Sequence, residues 1–213
     1  MTTVTTWRGV AVSMESAAAT ALTISAITKA SPAVATYTGT DPVNGDYILL
    51  DVEGMEELNS KVVRVANVNG AGNTMELEGV NSTLFGTFTS GTAQVITFGT
   101  SIGTALDMKA AGGEAKYDDT TTIHQIIDTQ VPLGFSAASY TFENLWDMAD
   151  AGLLALKAAF DAAAHKCFKI RFRNGQIAVF NGYPSASLMP GGSAKVTTPA
   201  AIALRALPTY YAS

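Results

Sequence analysis

A chain of 213 residues in which 47% are apolar and only 15% charged holds enough material for one large core or two small ones, and two domains are the expectation. A net charge of −5 argues against a protein that grips nucleic-acid phosphates through clustered Lys and Arg. The single cysteine, Cys167, excludes an internal disulfide and reads as a small apolar residue between helix and strand.

Near the N-terminus, Glu15 interrupts the only apolar stretch, and residues 17–26 are too short and too rich in Thr and Ser to cross a bilayer, so neither a signal peptide nor a membrane span is expected. Residues 7–14 alternate, with Val10, Val12 and Met14 on the buried side of a short first strand. Residues 16–21 are Ala-rich with no clear period, after which Leu22, Ile24 and Ala26 alternate again. From residue 27 the pattern becomes evenly spaced short strands, at Ala33–Thr38, 47–52, 61–68, Thr74–Leu77 and 93–98. Turn residues separate them, among them Asp41-Pro42, Asn44-Gly45, Gly54, Asn69-Gly70 and Ser90-Gly91. The regular spacing predicts a compact barrel over 27–97.

Residues 99–108 resume a different pattern, followed by an Ala-Gly linker at 110–113, an acidic turn at Asp118-Asp119 and a loop marked by Pro132 and Gly134. A strand is predicted over 139–146. Asp150 then caps a helix over 151–165, whose stripe of Leu153, Leu156 and Phe160 buries against a sheet, with His165 at its C-terminal end. Phe168, Ile170 and Phe172 alternate with Lys169, Arg171 and Arg173, which sets an apolar face on the core and a basic face outward. Asn174-Gly175 predicts a type I′ turn returning through 176–180, and a strand around 200–206 closes the domain. One helix covering one sheet is the plan implied.

At these residues the chain resembles a known family. Asp119-Thr120-Thr121-Thr122-Ile123-His124, Ser139-Tyr140-Thr141-Phe142-Glu143, Asp150-Ala151-Gly152-Leu153, Asn174-Gly175, Val179-Phe180-Asn181-Gly182-Tyr183, Val196-Thr197-Thr198 and Pro208-Thr209-Tyr210-Tyr211 are similar, in order and spacing, to the major tail tube proteins of long non-contractile-tailed bacteriophages. The segment from Pro32 to Val80, including Asn44-Gly45-Asp46 and Arg64-Val65-Ala66-Asn67-Val68, resembles a small β module of phage tail proteins named for its likeness to the first catalytic-cysteine half-domain of ubiquitin-activating enzymes. It contains no cysteine, which excludes thioester chemistry. The resemblance implies a mainly β protein, a tail-tube-type sandwich or barrel flanked by one helix, formed by 1–26 and 98–213, with 27–97 inserted. The same strands forming one larger sandwich is the other arrangement compatible with the sequence.

The family implies hexameric rings stacked into a tube for DNA, located in the virion tail after synthesis in the host cytoplasm. Its partners are further copies of itself and the tape measure, tail tip and tail terminator proteins. Rings of −5 chains suggest an acidic wall, with Glu114, Asp118 and Asp119 as lumen-facing candidates and Lys169, Arg171 and Arg173 on the outside or in subunit contacts. No cofactor is implied. His124, read as a polar strand residue, and His165 lack companions at metal-ligand spacing, Asp118-Asp119 with Glu114 lacks the spacing of a calcium loop, and no G-x-S-x-G elbow occurs. The rival reading is a β-rich carbohydrate- or receptor-binding module displaying Tyr37, Tyr47, Phe85 and Phe88 as an aromatic platform.

Overall fold

The computed structural model describes residues 7–212. In chain order the strands are β1 (Ala11–Met14), β2 (Ala17–Ala18), β3 (Leu22–Ile27), β4 (Ala33–Thr38), β5 (Tyr47–Glu53), β6 (Val62–Asn69), β7 (Thr74–Leu77) and β8 (Ser90–Thr97). There follow β9 (Thr100–Ser101), β10 (Ala105–Ala111), β11 (Ala115–Asp119), β12 (Gln130–Phe135) and β13 (Ser139–Leu145), and then the helix α1 (Ala151–Asp161). After it come β14 (Lys166–Arg171), β15 (Ile177–Ser185), β16 (Thr197–Leu204) and β17 (Thr209–Tyr211).

The first sheet runs β10-β13-β16-β15-β14-β1-β9, with β17 paired to the start of β15. Only Ile102-Gly103-Thr104 separates the two edge strands β9 and β10, so this sheet curls back on itself as a sandwich. The long β15 makes the corner: it pairs with β14 up to Gly182 and with β16 from Gly182 onward. Inward residues of alternating strands, among them Val12, Met14, Met108, Phe142, Phe168, Ile170, Phe180 and Ile202, form the core. Phe168 and Phe180 face each other across β14 and β15 with ring centroids 5.5 Å apart.

Helix α1 closes this core. The Asp150 carboxylate accepts the Leu153 N–H at 2.8 Å, and Gly152 sits where a Cβ would come within 2.4 Å of the Ser101 carbonyl oxygen. The helix ends four residues short of the expected His165. Ala164 N–H reaches Ala159 O and Ala163 N–H reaches Phe160 O, both at 3.0 Å, with Ala163 at φ +48°, a Schellman turn that redirects the chain into β14. The buried line runs Gly152, Leu153, Leu156, Ala159. Phe160 is 41% exposed, which corrects its expected place in the packed stripe: Ala159 takes the inward position in the last turn and Phe160 falls on its flank.

Residues 22–97 build a sheet of their own. β8-β3-β4-β7-β6-β5 close into a barrel through the β5–β8 ladder, and β2 extends β8. Its core includes Leu22, Ile24, Tyr37, Ile48, Leu50, Val63, Met75 and Leu77. The border expected at 26/27 cuts through β3. A register shift between Ile24 and Ala26 also turns Ile27 inward in place of Ala26. Full closure leaves this barrel without a free strand edge.

Barrel and sandwich meet in a third core, where Tyr47, Leu49, Val62 and Ile96 of the barrel pack on Cys167, Val179 and Tyr211 of the sandwich. The Tyr211 hydroxyl accepts the Arg64 N–H at 2.6 Å, and the Arg64 guanidinium, held by both oxygens of Glu78, lies 4.6 Å from the Tyr211 ring centre. At the β14–β15 hairpin, Phe172 N–H bonds Gln176 O and only Gly175 has positive φ, +90°. The expected two-residue type I′ turn is therefore a three-residue loop, 173–175, with glycine at its left-handed position.

Candidate self-assembly surfaces

The ladder between β10 and β13 does not stop at the sheet. Gly113 N–H bonds Ser136 O at 3.3 Å and Ser136 N–H bonds Glu114 O at 2.7 Å, carrying the same pairing into β11 and β12. The result is a two-stranded ribbon that leaves the sandwich at a glycine kink, with Gly112 at φ +79° and Gly113 at +77°. A Cβ on Gly112 would stand 1.9 Å from the Ala137 carbonyl oxygen. The expected linker is thus partly strand and partly kink, and the acidic turn and Pro/Gly loop are the ribbon's two strands.

Every residue of β11 and β12 is exposed, including Tyr117, Val131, Leu133 and Phe135. At the tip Ile123 is 97% and Ile127 78% exposed. Polar groups shape the tip: Asp119 Oδ1 accepts the Thr121 N–H at 2.8 Å, Gln125 Oε1 the Thr122 N–H at 3.0 Å, and Thr121 Oγ1 the Thr129 N–H at 3.0 Å. The Thr121 hydroxyl, then its backbone N–H, holds the Asp119 carboxyl below the usual range. With the inner hydrogen bonds made by polar side chains, the isoleucines are left pointing outward. An isolated two-stranded ribbon is marginal in water, and apolar exposure of this extent marks a contact surface.

Glu114, Asp118 and Asp119 all lie on this ribbon. His124 is in its tip turn, not a strand, and His165 lies past the helix, edge-on to Tyr183 at 5.9 Å. A second exposed feature is β10, a sheet edge with no ladder partner on its outer side among the described residues. Beside it, the outward face of β10, β13, β16 and the end of β15 holds a shallow recess of about 400 Å³ lined by Asp107, Lys109, Thr141, Glu143, Ser185 and Ala201. Lys109 Nζ lies 3.9 Å from Asp107, and Glu143 accepts the Thr197 hydroxyl at 2.6 Å.

The basic trio is divided. Lys169 is half-buried beside the barrel, its ammonium 5.3 Å and 4.9 Å from the Tyr47 and Phe98 ring centres, and burial followed by Arg171 holds its pKa down. Arg171 and Arg173 remain exposed. Cys167 is fully buried in the junction, where burial pushes its thiol upward. The aromatic platform of the rival reading is absent: Tyr37 and Tyr47 are buried, and Phe85 and Phe88 pack on the barrel core. No group of three or more His, Cys, Asp or Glu among the described residues is placed to hold a metal ion.

The sequence profile of the phage tail tube proteins matches residues 53–213. The chain belongs to that family. The match starts inside β5 and so takes in the second half of the barrel, the whole ribbon, α1 and every sandwich strand except β1. No curated protein matches the chain. Membership makes the tail tube protein a structural component of the virion tail that associates with further copies of itself, and no described helix is long and apolar enough to cross a membrane.

Proposed function

We propose that this tail tube protein builds the tube of a long non-contractile tail as stacked hexameric rings around a channel through which DNA leaves the virion. The observation that carries the reading is the ribbon 114–136, whose apolar side chains find no cover among the described residues. The open edge of β10 supports it, since a ring pairs such an edge with a neighbour and leaves no template for uncontrolled association. The role is structural and needs neither catalysis nor a cofactor. Assembly takes place in the host cytoplasm, with the tape measure, tail tip and tail terminator proteins as further partners. The barrel is the small β module of other phage tail proteins, retained as an added body on each subunit.

Negative-stain imaging of the purified protein tests this, and tubes of stacked six-fold rings are the expected result. Replacing Ile123, Ile126 and Ile127 with Ser leaves the fold intact, because none of the three packs on a core, and abolishes tube formation. A triple variant that forms tubes as readily as the parent would refute the role given to the ribbon.

A further inference from the structure

We propose that the turn between β6 and β7 is a self-modifying site, at which Asn69 closes on the backbone nitrogen of Gly70, loses its amide as ammonia and is hydrolysed to aspartate and isoaspartate. The inference is independent of the ring assembly. Four Asn-Gly pairs stand in the sequence, at 44–45, 69–70, 174–175 and 181–182, and residue type makes them equal, since glycine puts no side chain in the way of the attacking nitrogen. The fold separates them. Gly45 N–H donates to Val65 O at 2.8 Å, while Asn44 Oδ1 accepts the Val68 N–H at 2.8 Å. Gly175 N–H donates to Phe172 O at 3.0 Å, and the Asn174 amide is held at both ends by Gln176, at 2.9 and 3.1 Å. Asn181 is fully buried, and Gly182 lies in the ladders of β15 with β14 and β16. At these three pairs a hydrogen bond or a strand must break before the nitrogen can reach the side-chain carbonyl carbon.

Asn69 and Gly70 are exposed, and the Gly70 N–H has no partner among the described residues. The rest of the turn supplies what the reaction needs. Gly72 N–H donates to Asn69 Oδ1 at 3.1 Å, which polarises the carbonyl under attack and steadies the charge that develops on its oxygen. Asn69 Nδ2, the nitrogen that leaves, makes no hydrogen bond among the described residues. Asp41 Oδ1 accepts the Tyr37 hydroxyl at 3.0 Å, and its other oxygen lies against Gly70, where a Cβ would stand 2.4 Å from it. This carboxylate takes the Gly70 proton, directly or through water, and returns it to the departing amide. The bond from Gly70 N to Asn69 Cγ forms as the Cγ–Nδ2 bond breaks. Water then opens the cyclic imide at either carbonyl, which restores the backbone as aspartate or lengthens it by one carbon as isoaspartate. One water enters and one ammonia leaves, with no change of oxidation state. Each event adds a negative charge to the barrel beside Asp41.

Incubation of the purified protein in mildly alkaline buffer, followed by peptide mapping in a mass spectrometer, tests the assignment, with isoaspartate read by enzymatic methylation of its carboxylate. In the folded protein Asn69 is expected to convert about tenfold faster than Asn44 or Asn174, equivalent to about 1.4 kcal/mol of barrier and on the scale of one protein hydrogen bond, with Asn181 unchanged. In urea the protection is lost and the four rates converge. Asp41→Asn, which keeps an oxygen to accept the Tyr37 hydroxyl, is expected to slow conversion of Asn69 in the folded protein and to leave the rate in urea unaltered. Conversion of folded Asn44 or Asn174 as fast as that of Asn69 would overturn the assignment. So would an Asn69 that stays intact in the folded protein and converts only in urea. An Asp41→Asn variant with the parent's rate would remove the carboxylate from the step and overturn the mechanism.

Discussion

Tyr211 joins the barrel to the sandwich, and its replacement measures how strongly the two bodies are coupled. The residue is 6% exposed, its hydroxyl accepts the Arg64 N–H at 2.6 Å, and its ring lies 6.1 Å from Tyr47 and under the Arg64 guanidinium. Tyr211→Phe removes only the acceptor and strands a part-buried N–H, a loss of about 1–3 kcal/mol. Tyr211→Ala also empties the aromatic site, for about 3–5 kcal/mol. In a chain of this size each kcal/mol shifts Tm by about 2–4 °C, so calorimetry resolves both variants. The parent is expected to unfold in one transition, and Tyr211→Ala in two as the junction loosens. Burial, opposed by the Arg64 N–H, raises the Tyr211 hydroxyl from 10.0 to about 12. A phenol with a raised folded pKa contributes stability that is complete below about pH 10 and lost as pH climbs through 12, because the folded state holds its proton longer. Tyr211→Phe should flatten that alkaline fall, with Tyr37 and Tyr140, also raised by burial, keeping part of it. Two variants with the parent's Tm, or Tyr211→Phe with the parent's alkaline slope, would refute the coupling.

Two further substitutions address the helix. Leu156→Ala, at a fully buried position, should cost about 2–5 kcal/mol in urea unfolding, whereas Phe160→Ala, at a position 41% exposed, should cost about 1 kcal/mol; equal losses would return Phe160 to the core. Ala163→Gly should stabilise by about 1 kcal/mol, since an alanine Cβ is strained at φ +48° and glycine is not; a lower unfolding midpoint would refute the Schellman turn.

Signals carried by near neighbours were legible in the residues alone. Period-two alternation places β4 and β7 at Ala33–Thr38 and Thr74–Leu77 as expected, because burial of one strand face leaves a local pattern. The Asp150 cap is legible for the same reason, since its partner is the amide three residues on. The order of strand, lone helix, hairpin and strand also carries the family resemblance. Features that depend on distant partners were not. Pro132 and Gly134 read as a loop because a central strand excludes them, yet a ribbon exposed on both sides needs no continuous ladder and tolerates both. The helix stops at Asp161 in spite of good helix formers beyond it, because the chain must turn back to lay β14 on β1. Lys169 follows the outward alternation of its strand, and only the docking of the barrel turns that outside into a half-buried seam beside Tyr47 and Phe98. Charge, in total and by segment, is readable from the sequence, the net −5 falling within 27–97, whereas that body's place on one face of the sandwich comes from tertiary packing, because only the fold brings Tyr47, Leu49 and Ile96 onto Cys167 and Val179.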